Sequence, residues 1–506
     1  MRSTFMGLET AKRGMYAQQS AIYVTGNNIA NKNTPGYTRQ RVNFVQTEPY
    51  PAASMNRPQI PGQLGTGVTD GSIQRIRESF IDEQYRNENN KFGYYNDLAN
   101  SISKMEDIMN EPSDTGLSKA MAQFWQSLQD LSKDADNEGV RRVVLQRGMA
   151  VAETFKYLHS SLTTVRGDIK KELDASVTEI NSLAKQIASI NKQISDVEPH
   201  GYLPNDLYDE RDRLLDQLSN IVPIETSTVS YGGNSLAFAE GGRNVEIVLG
   251  GERIMLVDDR TGNELELNGD QLGIKGSTDS ITFGESAEGK GKIAALIQAY
   301  GEDGPPAKGL YPEMLEDLDK YAFTFAKVFN AVHQEGFDIN GKKGEAFFSV
   351  DNDGSYQGAA SSISVSLKNP SDIAASLKPT HQGNGDNALN FGKIKDLVIT
   401  EGTITLPSGK ELKGLDIESG TLQSFYEGVI GKMAVEGQQA NRLYYNTGVL
   451  LNSVDNNRRS VSEVSLDEEF SNLIQYQHAY SASARMITVV DEMLDKIING
   501  MGTAGR

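Results

Sequence analysis

Apolar residues recur along most of this chain at helical spacing. The longest series is Phe155, Leu158, Leu162, Val165, Ile169, Leu173, Val177, Ile180, Leu183, Ile187, Ile190, Ile194 and Val197, thirteen positions in twelve steps over 42 residues. The mean step is 42/12 = 3.5, with no Pro and one Gly (Gly167) between them. That repeat predicts a rod about 60 Å long with one apolar seam. Shorter stripes precede it: Leu98, Ile102, Met105 and Met109, stopped by Glu111-Pro112-Ser113-Asp114, then Leu117, Met121, Phe124, Leu128 and Leu131. Pro199 and Gly201 end the rod, and 206–221 reads as a return helix.

Both ends of the chain carry weaker heptads. Leu8, Met15, Ile22 and Ile29 recur every seven residues, but the positions between them are small or polar (Ala11, Gln18, Thr25). Near the other end Leu466, Phe470, Leu473, Gln477, Tyr480, Ala484, Ile487, Asp491, Leu494 and Ile498 alternate in steps of four and three. So thin a stripe buries too little to order a lone helix in water, so each terminal helix is expected to need a partner.

Texture changes at 222–290, where Gly-rich turns separate short β-forming runs (VEIVLGG, RIMLVDD, ITFGE) every 8–12 residues. Helices are expected again at 291–300 and 311–335, short strands and loops over 345–415, and helix from about 420 onward. The fold expected is mainly α with inserted β: terminal coiled-coil helices, an elongated antiparallel helical bundle and a small β-rich outer domain. The corresponding division is 1–55 with 460–506 for the terminal coiled coil, 56–221, 291–344 and 416–459 for the bundle, and 222–290 with 345–415 for the outer domain.

Composition narrows the function. The chain has 506 residues, 49 Lys+Arg against 68 Asp+Glu and a net charge of −19, which disfavours a general nucleic-acid binder. No apolar run reaches membrane-spanning length, and no apolar core follows the early basic residues as a cleavable signal peptide requires. Cysteine is absent, which excludes disulfide scaffolds, thiolate metal sites and thiol nucleophiles. That absence fits a lineage with few thiols as well as a chain that crosses compartments unfolded. Charge is also segregated. Residues 1–47 hold six cations and one anion (+5), and 460–498 hold two cations and seven anions (−5). The two ends are thus complementary, although exposed pairs of this kind contribute only about 0–1 kcal/mol each.

Candidate chemistry is sparse. His159, His200, His333, His381 and His478 stand apart, without a second ligand at metal spacing. Gly284 to Lys290 copies the GxxxxGK spacing, but Gly291 stands where Ser or Thr would hold magnesium, and two glutamates would repel phosphate; a strand-to-helix turn is the better reading. Gly383 to Ala388 reads as a turn, and Asp351, Asp353 and Ser355 lack the Gly and Glu of a calcium loop. No catalytic, metal or cofactor site emerges. The most unusual segment is Asn27 to Tyr37 (NNIANKNTPGY): an Asn-rich helix end followed by Thr-Pro-Gly. It reads equally as an ordinary helix stop or as a fixed joint between the terminal helix and the next layer.

Ala30-Asn31-Lys32-Asn33-Thr34-Pro35-Gly36-Tyr37 resembles the N-terminal signature of the bacterial flagellar rod, hook and hook-associated axial proteins. The other end agrees, through Ser465 to Leu473 and Gln475 to Arg485, and within the family Asn205 to Leu214 and the long bundle resemble the members at the hook–filament junction. A hook protein would be β-rich after the signature, and flagellin lacks it. Ser483 departs from the Asn usual before the Ala-Arg pair. The resemblance implies a structural, non-enzymatic subunit without cofactors. It implies export through the flagellar type III apparatus to the extracellular flagellum and self-assembly into a ring zone between the hook protein and the next, filament-side hook-associated protein. An export chaperone would bind near the C-terminus, and neither nucleic acid nor membrane would be a partner. In that picture Leu8, Met15, Ile22, Ile29, Phe470, Leu473, Tyr480, Ile487 and Leu494 make the axial packing, with terminal helices loose until they assemble. The alternatives are a secreted surface adhesin with a helical stalk, or an enzyme hidden in the β-rich region.

Overall fold

A computed structural model describes residues 5–283, 289–351, 354–379 and 383–500. Among the described residues eleven α-helices run in chain order: α1 (Phe5–Ala30), α2 (Ser79–Met109), α3 (Leu117–Lys133), α4 (Glu138–Val197), α5 (Asn205–Ile221), α6 (Gly291–Tyr300), α7 (Leu310–His333), α8 (Ala359–Ser362), α9 (Asp386–Lys393), α10 (Leu422–Ser462) and α11 (Leu466–Gly500). The architecture is mainly α with inserted β. Among the described residues no helix is long and apolar enough to cross a membrane.

α4 is the axis of the body. Its 60 residues span about 90 Å. Asn137 caps its start by accepting from the Gly139 and Val140 amides at 2.9 and 3.4 Å, and a turn through Pro199 and Gly201 (φ 84°) ends it. Eleven of the thirteen seam residues read from the repeat are buried, and Val165 and Val197 are half-buried. α2, α3, α5, α6 and α7 pack against it, and α10 returns along α2. Helices before and after the first β insertion therefore share one bundle. Where α3 and α7 meet the segment that follows α7, Phe124, Phe325, Phe329, Phe347, Phe348 and Phe391 form one aromatic cluster.

Two corrections to the expected layout concern the β parts. A ribbon of β1 (Gln40–Gln46) and β2 (Val68–Arg75) pairs antiparallel, so a boundary at 55 would cut between paired strands. The segments 222–290 and 345–415 also do not form one outer domain. The first builds a sheet of β3 (Ile224–Val229), β4 (Gly242–Leu249), β5 (Glu252–Asp258) and β6 (Thr261–Gly262), and a second of β7 (Leu265–Asn268), β8 (Gln271–Ile274) and β9 (Ser280–Thr282). These lie on the C-terminal half of α4, where Asn181 bonds Leu265 and Asn191 bonds the Arg243 and Asp259 carbonyls. The second segment lies on the N-terminal end of α4. There buried Arg141 donates to the Ile373 carbonyl at 2.8 Å, and Phe347 packs on Gly148. From Gly148 to Asn181 is about 50 Å along the helix. A helix this long offers separate docking sites, and composition alone does not say which one an insertion uses.

Candidate functional site: the terminal hairpin and its joint

α1 and α11 pair antiparallel in a constant register. A Cβ built on Gly7 meets Val490 at 4.0 Å, one on Gly14 meets Ser483 Oγ at 3.2 Å, and Asn28 bonds Glu469. Each pair of numbers sums to 497. The glycines let the backbones approach closely, and Ser483 is small enough to face Gly14. Each end thus has the other as its partner within one chain, where the sequence led us to expect loose helices awaiting neighbours.

The contact stripe of α1 is made of small residues: Ala17 and Ala21 are buried with Val24, Thr25 and Asn28. Leu8, Met15, Ile22 and Ile29 flank it, half-buried. On α11 one column of the expected heptad, Leu473, Tyr480, Ile487 and Leu494, is half-buried on the α1 side. The second column is shifted by one residue: Glu469, Tyr476, Ser483 and Val490 face α1, and Phe470 stands exposed. Ile474, Met486, Val489, Met493 and Ile497 are exposed with it, as are Tyr16 and Tyr23 on α1. The hairpin and ribbon have a small core of their own, with Ala21, Val24 and Val42 buried and Ile73 and Tyr476 packed against them.

The Asn-rich segment forms the joint. Asn28, 1% exposed, is its node. Its Nδ2 donates to the Gln40 carbonyl at 2.8 Å and to Glu469 Oε2 at 3.1 Å, while its Oδ1 accepts from the Tyr37 hydroxyl at 2.9 Å and the Gln40 amide at 3.0 Å. Burial, then the nearby Asp209, Asp206 and Glu469 carboxylates, push the Tyr37 pKa well up, so this hydroxyl stays a donor. Asn31 turns back to the Asn27 carbonyl at 3.1 Å and holds Thr34. Ala30, Asn33, Thr34, Pro35 and Gly36 lie on the surface, Gly36 with φ 82° against the Arg213 stem. Arg39 bonds Glu469 at 2.7 Å and Glu468 at 2.5 Å, and its amide donates to the last turn of α10. The complementary end charges meet there.

Beneath the node lies a buried ionic cluster that sequence reasoning missed. Arg75 on β2 reaches Asp209 at 2.6 Å and Asp212 at 3.0 Å on α5; Arg77 and Arg86 also reach Asp212, both at 3.4 Å. Burial alone would raise Asp212, but Arg77, Arg75, Arg211 and Arg86 hold its pKa far below the usual carboxylate range. The Thr38 amide donates to Asp209 at 3.0 Å, so this cluster carries the ribbon's entry strand directly. Such a cluster costs desolvation and returns a fixed geometry, since each carboxylate must be matched by a guanidinium.

No group of His, Asp and Glu able to hold a metal ion occurs among the described residues. His159, His200 and His478 are separate, and His333 is buried in the aromatic cluster. Gly284 to Glu288, Asp353 and His381 lie outside the described residues.

Residues 102–348 match the family described as the flagellar hook-associated protein FlgK helical domain. Residues 8–38 match the flagella basal body rod protein family, and 460–500 the flagellar basal body rod FlgEFG protein C-terminal family. The chain is 44% identical over 519 residues to flagellar hook-associated protein 1 of Bacillus subtilis (strain 168), covering 100% of each. It is 25% identical to the Escherichia coli (strain K12) protein of that name, over 97% of this chain and 99% of that one. The solved flagellar hook junction protein FlgK from Burkholderia pseudomallei shares the fold, at TM-score 0.59 and 14% identity over 75% of this chain and 100% of that chain.

Proposed function

The chain belongs to the flagellar hook-associated protein 1 family, structural components of the flagellum, and from that premise we propose that it is the non-catalytic subunit joining hook to filament. The Burkholderia protein carries the words hook junction in its own description, and we extend that role to this chain. The observation that carries the reading is the apolar stripe of Met486, Val489, Met493 and Ile497 on one flank of α11, with Phe470 and Ile474 on the other flank, which α1 leaves uncovered. Neighbouring copies in a ring would cover it, together with the half-buried edges Leu8, Met15, Ile22, Ile29, Leu473, Tyr480, Ile487 and Leu494. Full burial of such a side chain is worth about 1.5–3 kcal/mol. Partners are further copies of this chain, the hook protein on one side and the next hook-associated protein on the other. Export runs through the flagellar type III apparatus, and a chaperone near the C-terminus covers the same stripe until delivery.

A deletion strain tests this. It should keep intact hooks and lose flagellin to the medium; the full chain should restore filaments, and a chain without 466–506 should not. Normal filaments in the deletion strain would refute the junction role.

A further inference from the structure

The two sheets of the first β unit lie on α4, but the loop joining β3 to β4 (230–241) leaves them and reaches α5 and the ribbon. Glu240 stands at the end of that loop. Its Oε1 accepts from Arg75 Nη2 at 2.5 Å and its Oε2 accepts from Arg211 Nη2 at 3.1 Å. Arg75 belongs to the ribbon, Arg211 to the bundle and Glu240 to the β unit, so one carboxylate ties three parts together. Both guanidinium groups also lie near the Tyr208 ring, with their carbons 5.1 and 5.2 Å from its centroid.

The loop end is held for this purpose. The Gly241 carbonyl accepts from Arg211 Nη1 at 2.5 Å, and its amide donates to Glu198 Oε1 at 2.8 Å. Glu198 also takes the Tyr208 hydroxyl. Gly241 has φ 66°, and a Cβ there would sit 2.1 Å from the Val229 carbonyl oxygen, so the tight approach requires glycine. Asp209 and Asp212 hold Arg75 from α5 whatever the β unit does, and each takes one end of the fork. Glu240 fixes the remaining freedom of the planar group and couples it to Arg211 of the bundle. The Arg75 and Arg211 side chains are 2% and 0% exposed and Glu240 is 29% exposed, so the acid can be changed without opening a cavity.

We propose that the first β unit braces the joint: Glu240 is a positioning residue that, by gripping Arg75 of the ribbon and Arg211 of the bundle at once, sets the angle between the terminal hairpin and the bundle. Its consequence for filament attachment rests on the junction reading; its geometry does not.

The absence of cysteine allows a direct test on the full-length monomer. Spin labels at Gln19→Cys on α1 and Gln186→Cys on α4 report the angle as a distance distribution. Glu240→Gln should widen that distribution at least two-fold with unchanged thermal unfolding. Glu240→Asp keeps the charge but is too short to reach both partners, and should widen it less. Glu225→Gln breaks an exposed pair with Arg253 in the same sheet and should leave the distribution as in the parent. An unchanged width in Glu240→Gln, or equal widening in Glu225→Gln, overturns the proposal. Should Glu240→Gln unfold the β unit, the Glu240→Asp width decides alone. In cells, Glu240→Gln should lower the fraction of hooks bearing filaments several-fold. If the parent chain itself fails to restore filaments, the junction reading falls while the distance measurement still judges the brace.

Discussion

Helices α4 and α11 carry the same 3.5-residue apolar rhythm and meet different fates. α4 buries eleven of its thirteen apolar seam positions, whereas none of the eight apolar positions in the α11 repeat is fully buried. The difference lies in the neighbours. α4 is surrounded by bundle helices and two β insertions, while α11 has α1 and, at its start, the ribbon, and α1 offers mostly glycine, alanine and asparagine to it. A repeat announces that a helix has a seam; it does not say whether the same molecule closes it. The bundle is complete as a single chain, and the hairpin leaves apolar side chains uncovered.

Breaking the bundle should have the largest effect. Phe124 is fully buried against five other aromatic rings, and Phe124→Ala should cost about 3–5 kcal/mol, read as a lower urea midpoint for the bundle transition. Acid should act on the same core. His333 Nδ1 lies 2.6 Å from the Glu345 carbonyl and its Nε2 accepts from the Ala374 amide at 2.9 Å, so the native ring is neutral. Burial lowers its pKa from 6.5 to about 4. The unfolded chain takes the proton first, so this contribution is complete above pH 6.5 and falls away toward pH 4, by about 3 kcal/mol. Urea midpoints between pH 7.5 and 4 should show a slope that His333→Gln flattens.

The hairpin should respond locally. Asn28→Ala leaves Glu469 and Tyr37 short of partners and should cost about 1–3 kcal/mol within the terminal unit. Hydrogen exchange should quicken over 5–46 and 466–500 while the bundle stays protected. The smallest change in the monomer should come from Val489→Ser with Met493→Ser, both exposed: stability within about 0.5 kcal/mol, yet filament attachment lost. Unaltered attachment would show that the stripe is not an assembly surface and would undo the contrast between the two helices.

The bundle was legible in the sequence because its seams are long and its stops are marked by proline, glycine and asparagine. The shift of one α11 column was not, since Phe470 is the stronger hydrophobe and Glu469 looks like solvent-facing charge until Asn28 and Arg39 are seen beside it. The pairing of Arg75 with Asp212 was hidden for the same reason: they lie 137 positions apart, and a charge shows its burial only through its partner. Asn28 belongs to the Asn-rich segment the sequence singles out, but nothing there ranks it above Asn31 or Asn33; only the fold shows which amide turns inward.

One consequence follows from the register in which numbers sum to 497. The first helix to leave the ribosome, or to pass through any narrow conduit amino-end first, is completed by the last. Until nearly the whole polypeptide has emerged, α1 has only the ribbon to lie against, so a prematurely terminated chain displays an unfinished tip. A chain lacking its final thirty-odd residues therefore leaves the small-residue stripe of α1 without the helix that covers it.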